Sequence, residues 1–273
     1  MLGVHTNYAS IVAQGAVNKS NNLLTNAMER LSTGLRINSA SDDAAGLQIA
    51  NRMSANVKGM ETASRNISDA TSMLQTADGA LEELTTIANR QKELATQAAN
   101  GVNSGDDLTA LDAEFKQLNK EITRILENTT YAGNNLFKDT TGALVKADGV
   151  TFQIGAGKDE TLKVELKTIA TTITGDLTTS ANANTAITAV DTFLDKVGAE
   201  RSTLGANINR LGHTAANLAS VTENTKAAAG RIMDADFAVE SANMTRNQLL
   251  VQAGTTVLSS ANQNTGLVMG LLR

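Results

Sequence analysis

Residues 60–98 read METASRNISDATSMLQTADGALEELTTIANRQKELATQA, and their spacing decides the fold. Alternating steps of three and four pick out Met60, Ala63, Ile67, Ala70, Leu74, Ala77, Leu81, Leu84, Ala88, Gln91, Ala95 and Ala98. A stripe with that period belongs to a helix that lays one face along neighbouring helices. As a single helix the stretch is about 60 Å long at 1.5 Å per residue. Asn100-Gly101 predicts its end, because glycine readily takes the conformation that closes a helix.

Two further seams repeat the pattern. One runs through Leu108, Leu111, Phe115, Leu118, Ile122 and Ile125, with Asp106 and Asp107 ahead of it, where carboxylates favour a helix start. The other runs from Ile187 and Val190 through Leu194, Val197, Arg201, Leu204, Ile208, Leu211, Ala215 and Leu218 to Thr222, Thr225, Ala229 and Ile232. None of these helices can bury its stripe alone, but three can cover one another side by side. Towards the ends the pattern weakens. Leu24, Met28, Leu31 and Leu35 form a stripe near the N-terminus, and Leu250, Ala253, Val257, Leu267 and Leu271 form one near the C-terminus, with Ser260 and Asn264 in step.

Residues 134–185 change character. Gly, Thr and Asp become frequent and the heptads stop. Val150–Ile154 and Leu162–Leu166 alternate apolar and polar residues, which predicts two strands joined by a turn at Gly155, Gly157, Lys158 and Asp159. The expected fold is therefore mainly α: a long coiled-coil helical rod made from both ends of the chain, with a small β-hairpin element inserted in the middle.

Composition agrees. The 273 residues contain no Pro, no Cys and no Trp, and only 3% are aromatic. Average usage would supply about 14 prolines; without them helices run unbroken. Absent cysteine excludes disulfides, thiolate metal sites and thiol nucleophiles. A net charge of −5 gives no reason to expect nucleic acid. No run of about 18 apolar residues predicts a membrane span, and no cleavable Sec-type leader is recognisable. Charge is also unevenly placed. Residues 1–18 contain no Lys, Arg, Asp or Glu, and neither do residues 247–272. A soluble monomer ordinarily solvates its ends. These ends are composed to be covered.

Sites for chemistry do not assemble. His5 and His213 are the only histidines and fall on different segments. No G-x-S-x-G elbow occurs, and Gly155-Ala-Gly157-Lys158-Asp159 departs from the phosphate-loop pattern at its first and last positions. The expectation is no catalytic residue, no metal, no cofactor and no enzyme.

Residues 22–53, NLLTNAMERLSTGLRINSASDDAAGLQIANRM, carry the strongest motif. Gly34 interrupts one helix, Ser39 or Ser41 can cap the next, and Asp42 and Asp43 suit its positive first turn. The expected joint comprises Gly34, Arg36, Asn38, Asp42 and Asp43. Arg30–Gly46 also resembles the N-terminal signature of bacterial flagellins. Residues 231–240, Gln252-Ala-Gly254, residues 261–264 and Leu271-Leu-Arg273 resemble the flagellin C-terminus. Residues 87–101 are similar to the same family, and residues 128–137 resemble its closing hairpin. Departures are modest: the chain opens MLGVHTN, Thr265 replaces a common Pro, and the variable centre is short. The resemblance is to a short form, of the kind a secondary or lateral filament could use.

The resemblance implies a structural subunit that polymerises into an extracellular flagellar filament, exported without a cleaved signal peptide through a type III apparatus. Residues 1–42 with 230–273 would be an inner terminal coiled coil, 43–133 with 186–229 the surrounding helical rod, and 134–185 a variable β-rich region on the outer side. Partners implied are other copies of the chain, an export chaperone at the C-terminal segment, and cap and hook-associated proteins. Arg90, Leu94, Gln97 and Glu114 match positions by which an animal Toll-like receptor recognises flagellins; Lys92 stands where Arg is frequent.

Overall fold

The computed structural model describes residues 6–138, 141–170 and 172–271, with side chains described as far as Gln263. Helices dominate, as the seams require: α1 Tyr8–Thr33, α2 Ala44–Ala98, α3 Gly105–Asn128, α4 Ser180–Met233 and α5 Phe237–Leu271. Between α3 and α4 stand two antiparallel hairpins, β1 Thr130–Tyr131 with β2 Asn134–Asn135, and β3 Val150–Gln153 with β4 Thr161–Val164. The fold is mainly α with small β inserts, and the chain divides into two compact units, residues 56–223 and residues 1–55 with 224–273.

In the central unit, all twelve seam positions of residues 60–98 are buried, including Leu74, Leu81 and Leu84 at 0% exposure. Phe115 and Ile122 of α3, and Val190, Val197, Leu204 and Leu211 of α4, complete the same core. Lys92 pairs with Asp191 at 2.6 Å and Arg201 with Asp78 at 2.9 Å, so α4 returns antiparallel to α2. The third helix starts on Ser104, whose hydroxyl accepts the Asp107 N–H while Asp107 accepts the Ser104 N–H in return. That reciprocal pair satisfies two helix-end donors at once. The expected acidic residues thus lie in the first turn, one step behind the cap.

Phe152 faces Leu162 across the longer hairpin, in the alternation the sequence predicts. The shorter hairpin turns on Ala132 (φ 48°) and Gly133 (φ 82°), both in the left-handed region that a two-residue turn of this hand requires. Irregular segments are fixed to the helices by side chains that stand in for a strand. Asn119 of α3 donates to the Ile173 carbonyl and accepts the Ile173 N–H, both at 3.0 Å. Asp112, itself buried, accepts the Leu177 N–H at 3.2 Å. Such bonds answer backbone groups that a chain without regular structure would otherwise leave unpaired.

Candidate assembly surface

The terminal unit contains the two charge-poor helices, and they pair with each other. Near one end, Asn7 Nδ2 donates to the Ala261 carbonyl at 2.9 Å; near the other, Arg30 meets Glu240 at 3.0 Å. The pair is therefore antiparallel. The residues shielded from solvent along the pair include Ala13, Val17, Leu24, Ala27 and Leu31 of α1 and Asn247, Val251, Gly254, Leu258 and Ala261 of α5, several of them small. Close approach peaks at Gly254, where a Cβ would stand 2.5 Å from Val17 Cγ2.

The sequence stripes relate to this seam unevenly. Leu24 and Leu31 are half-buried in it, but Met28 is 47% exposed on the flank and Ala27 takes its place. Leu35 lies beyond α1 and bridges Asp234. In α5, Leu250, Ala253 and Val257 are exposed and stand one residue out of phase with Val251, Gly254 and Leu258. The side chains of Leu267 and Leu271 lie outside the described residues. Consecutive apolar residues, Leu249-Leu-Val251 and Val257-Leu258, give α5 two candidate stripes, and the period alone could not choose between them. The smaller stripe went to α1. The larger one faces outward, with Leu249, Leu250 and Val257 alongside Tyr8, Ile11, Val12, Leu23 and Met28 of α1 as exposed apolar side chains.

The joint between α1 and α2 is built from backbone polarity. Gly34 closes α1 at φ 73°, and its N–H donates to the Arg30 carbonyl. Gly34 then accepts the Ala235 N–H at 3.0 Å, and the Arg36 N–H donates to the Met233 carbonyl at 2.6 Å. Arg36 Nη2 donates to the Ile232 carbonyl at 2.8 Å. These bonds tie the segment after α1 to the segment before α5. The cap of α2 differs from expectation. Asp43, not Ser39 or Ser41, accepts the Gly46 N–H at 2.8 Å, while the two serines bond each other at 2.6 Å. The helix starts later than the serines, so they fall in the loop. Asp42 Oδ2 gathers that loop, accepting the N–H groups of Asn38 and Ser39 and the Ser39 hydroxyl.

Those donors, the Ser39 N–H foremost and the Asn38 N–H next, hold the Asp42 carboxyl below its ordinary range. A depressed folded-state value means that the unfolded chain binds more protons, so the contribution is present above the ordinary carboxylate range and is lost as pH falls through the depressed value. Acidification is expected to deprotect the Ser39 amide against hydrogen exchange in the wild type. In Asp42→Asn that amide is less protected at neutral pH and changes little on acidification. Equal protection in both chains at both pH values would show that the carboxylate does not hold the loop.

Of the four positions matched to receptor recognition, three are on the surface. Arg90 bonds Glu114 and Glu93, both at 2.9 Å, and Gln97 is exposed one turn beyond Glu93. Leu94 is different: at 1% exposure it belongs to the core.

Among the described residues no group of His, Cys, Asp or Glu could hold a metal, and no helix is long and apolar enough to cross a membrane. Long paired helices, hydrogen-bonded at the joint and carrying exposed apolar side chains, make up a structural architecture with no site for chemistry among the described residues. The model of the bacterial flagellin N-terminal helical region matches residues 4–141, and that of the C-terminal helical region matches residues 187–272. A flagellin of Halalkalibacterium halodurans is 45% identical over 253 residues, covering 90% of this chain and 91% of the relative. The flagellar filament 33 kDa core protein of Treponema phagedenis is 35% identical over 284 residues, covering 99% of both. The structure of a putative flagellar hook-associated protein from Vibrio parahaemolyticus superposes with a TM-score of 0.59 over 71% of this chain and all of that one, at 16% identity, and so shares its fold. The chain belongs to the bacterial flagellin family, as a short form. It is a structural subunit of the flagellar filament, not an enzyme.

Proposed function

We propose that this chain builds an extracellular filament by covering the apolar outward faces of α1 and α5 with neighbouring copies. One observation carries the reading: a charge-poor helix pair leaves Leu23, Met28, Leu249, Leu250 and Val257 at 46–60% exposure after pairing with itself. Covering a side chain of this kind contributes about 1.5–3 kcal/mol at full burial, against about 0–1 kcal/mol for a surface ion pair. Apolar coverage is thus the larger driving force. In this reading Leu24 and Leu31 hold the pair together, while Met28, Leu250, Ala253 and Val257 meet other subunits. Residues 1–42 and 230–273 lie innermost, 43–133 and 186–229 surround them, and 134–185 lie outermost.

The same exposed C-terminal face needs cover before assembly. An export chaperone on that segment supplies it, delivery is through a type III apparatus, and cap and hook-associated proteins adjoin the polymer. Seeded elongation of purified chain, watched by electron microscopy beside a variant lacking residues 247–273, tests the reading. The full chain is expected to elongate seeds and the truncated one to remain monomeric. A full chain that never elongates favours a junction protein of similar fold.

Recognition by an animal Toll-like receptor is proposed on the exposed Arg90–Glu114 pair with Gln97; Leu94 supports that surface from within. Arg90→Ala is expected to lower a receptor reporter signal at unchanged helix content. A silent reporter with the unaltered chain sinks this part.

A further inference from the structure

Asn100-Gly101 is the one Asn-Gly pair in the sequence, and it occupies the turn between α2 and α3. Both residues are exposed. Four features of the turn bear on its chemistry. The Gly101 N–H donates no hydrogen bond among the described residues, so its nitrogen is not engaged. Space beside Gly101 is open, with nothing within 4 Å of where a Cβ would stand. Asn100 Oδ1 lies 3.4 Å from the Val102 N–H, which curls the side-chain carbonyl over the following peptide and polarises it. The Asn100 amide nitrogen, the leaving group, has no hydrogen-bond partner among the described residues, whereas that of nearby Asn103 is held by the carbonyls of Gln97 at 2.6 Å and Asn100 at 3.1 Å.

We propose that Asn100 is a site of spontaneous deamidation, with water as the only co-reactant. The Gly101 nitrogen gives up its proton and attacks Asn100 Cγ, forming a new C–N bond. The C–NH2 bond breaks, and the nitrogen departs as ammonia carrying that proton. Water then opens the five-membered imide at either carbonyl, leaving aspartate or isoaspartate. No electron is transferred to or from any outside group. Glycine at the second position matters because no Cβ obstructs the backbone rotation that brings nitrogen to carbon. Each modified subunit becomes one charge more negative than −5. The new carboxylate sits at the C-terminal end of α2, where the helix dipole disfavours it. The isoaspartate product also inserts a methylene into the backbone of the turn that carries the chain from α2 into α3.

The test incubates the full chain at mildly alkaline pH and follows it by peptide mass mapping with an isoaspartate-specific methyltransferase readout. The peptide holding Asn100 is expected to gain about one mass unit ahead of every other asparagine peptide, roughly tenfold faster than Asn103, and faster as pH rises. Gly101→Ala is expected to slow the change roughly tenfold. Asn100→Gln should leave only the slower change at Asn103 in that peptide, at unchanged helix content. Modification of Asn103 as fast as Asn100, persistence of Asn100 while others change, or no slowing in Gly101→Ala would each overturn the proposal.

Discussion

Replacing Gly254 with alanine is expected to loosen the α1–α5 pair, although the same exchange in an open helix would strengthen it. Alanine exceeds glycine in helix propensity by about 1 kcal/mol. Here the added Cβ would lie 2.5 Å from Val17 Cγ2, and a β-branched side chain in a helix has few rotamers to retreat into. The clash is expected to outweigh the propensity gain, so the sign reverses. Val17→Ala removes the obstructing methyl, and in that background Gly254→Ala should stabilise the pair. The two changes should couple by about 0.5–3 kcal/mol in a double-mutant cycle read by hydrogen exchange of the α1 and α5 amides. Additive effects would mean that the helices meet along another line. Seed elongation by Gly254→Ala should fall and return in the double variant, because the outward apolar face depends on the pair beneath it.

Phe115→Ala should produce the largest loss in the central unit. The ring is fully buried on α3 and supports the loop at Gly175, where a Cβ would stand 3.4 Å from Phe115 Cε1. Its backbone carbonyl also accepts the buried Gln91 amide at 3.2 Å. Truncating a buried phenylalanine costs about 3–5 kcal/mol, which lowers a melting temperature by roughly 10 °C in a unit of this size. By contrast, Arg90→Ala removes exposed ion pairs worth about 0–1 kcal/mol and should barely move it. Thermal unfolding of both variants ranks the two effects. Comparable shifts would mean that the surface charges, and not the core, hold these helices.

How much of this was legible in the sequence differs between the units. Along α2 all twelve seam positions are buried, because polar and charged residues fill most of the remaining surface, and Met73 and Leu94 join the core from beside the stripe. Along α3 the spacing placed Phe115 and Ile122, but it could not show that Asp112 and Asn119 turn inward to bond loop backbone. That information lies in residues 173–177, which carry no period. At the ends, the lack of charge that marks those helices for coverage also removes the polar faces that would set the phase. Ala27 and Gly254, seam residues by contact, look unremarkable beside Met28 and Val257. The joint was visible as a motif, yet the cap passed to Asp43, because nothing in the spacing distinguishes a serine in a loop from one at a helix start.

The bond between Asn7 and Ala261 joins residues 254 apart in the chain. Closing so long a loop costs roughly 3 kcal/mol more entropy than closing one of ten residues. Pairing of α1 with α5 is thus a late event, possible only after nearly all of the polypeptide has been made. A nascent or prematurely terminated chain has no partner for its first helix and cannot present the paired surface. Completeness of synthesis is thereby read out by topology, before any neighbour is met.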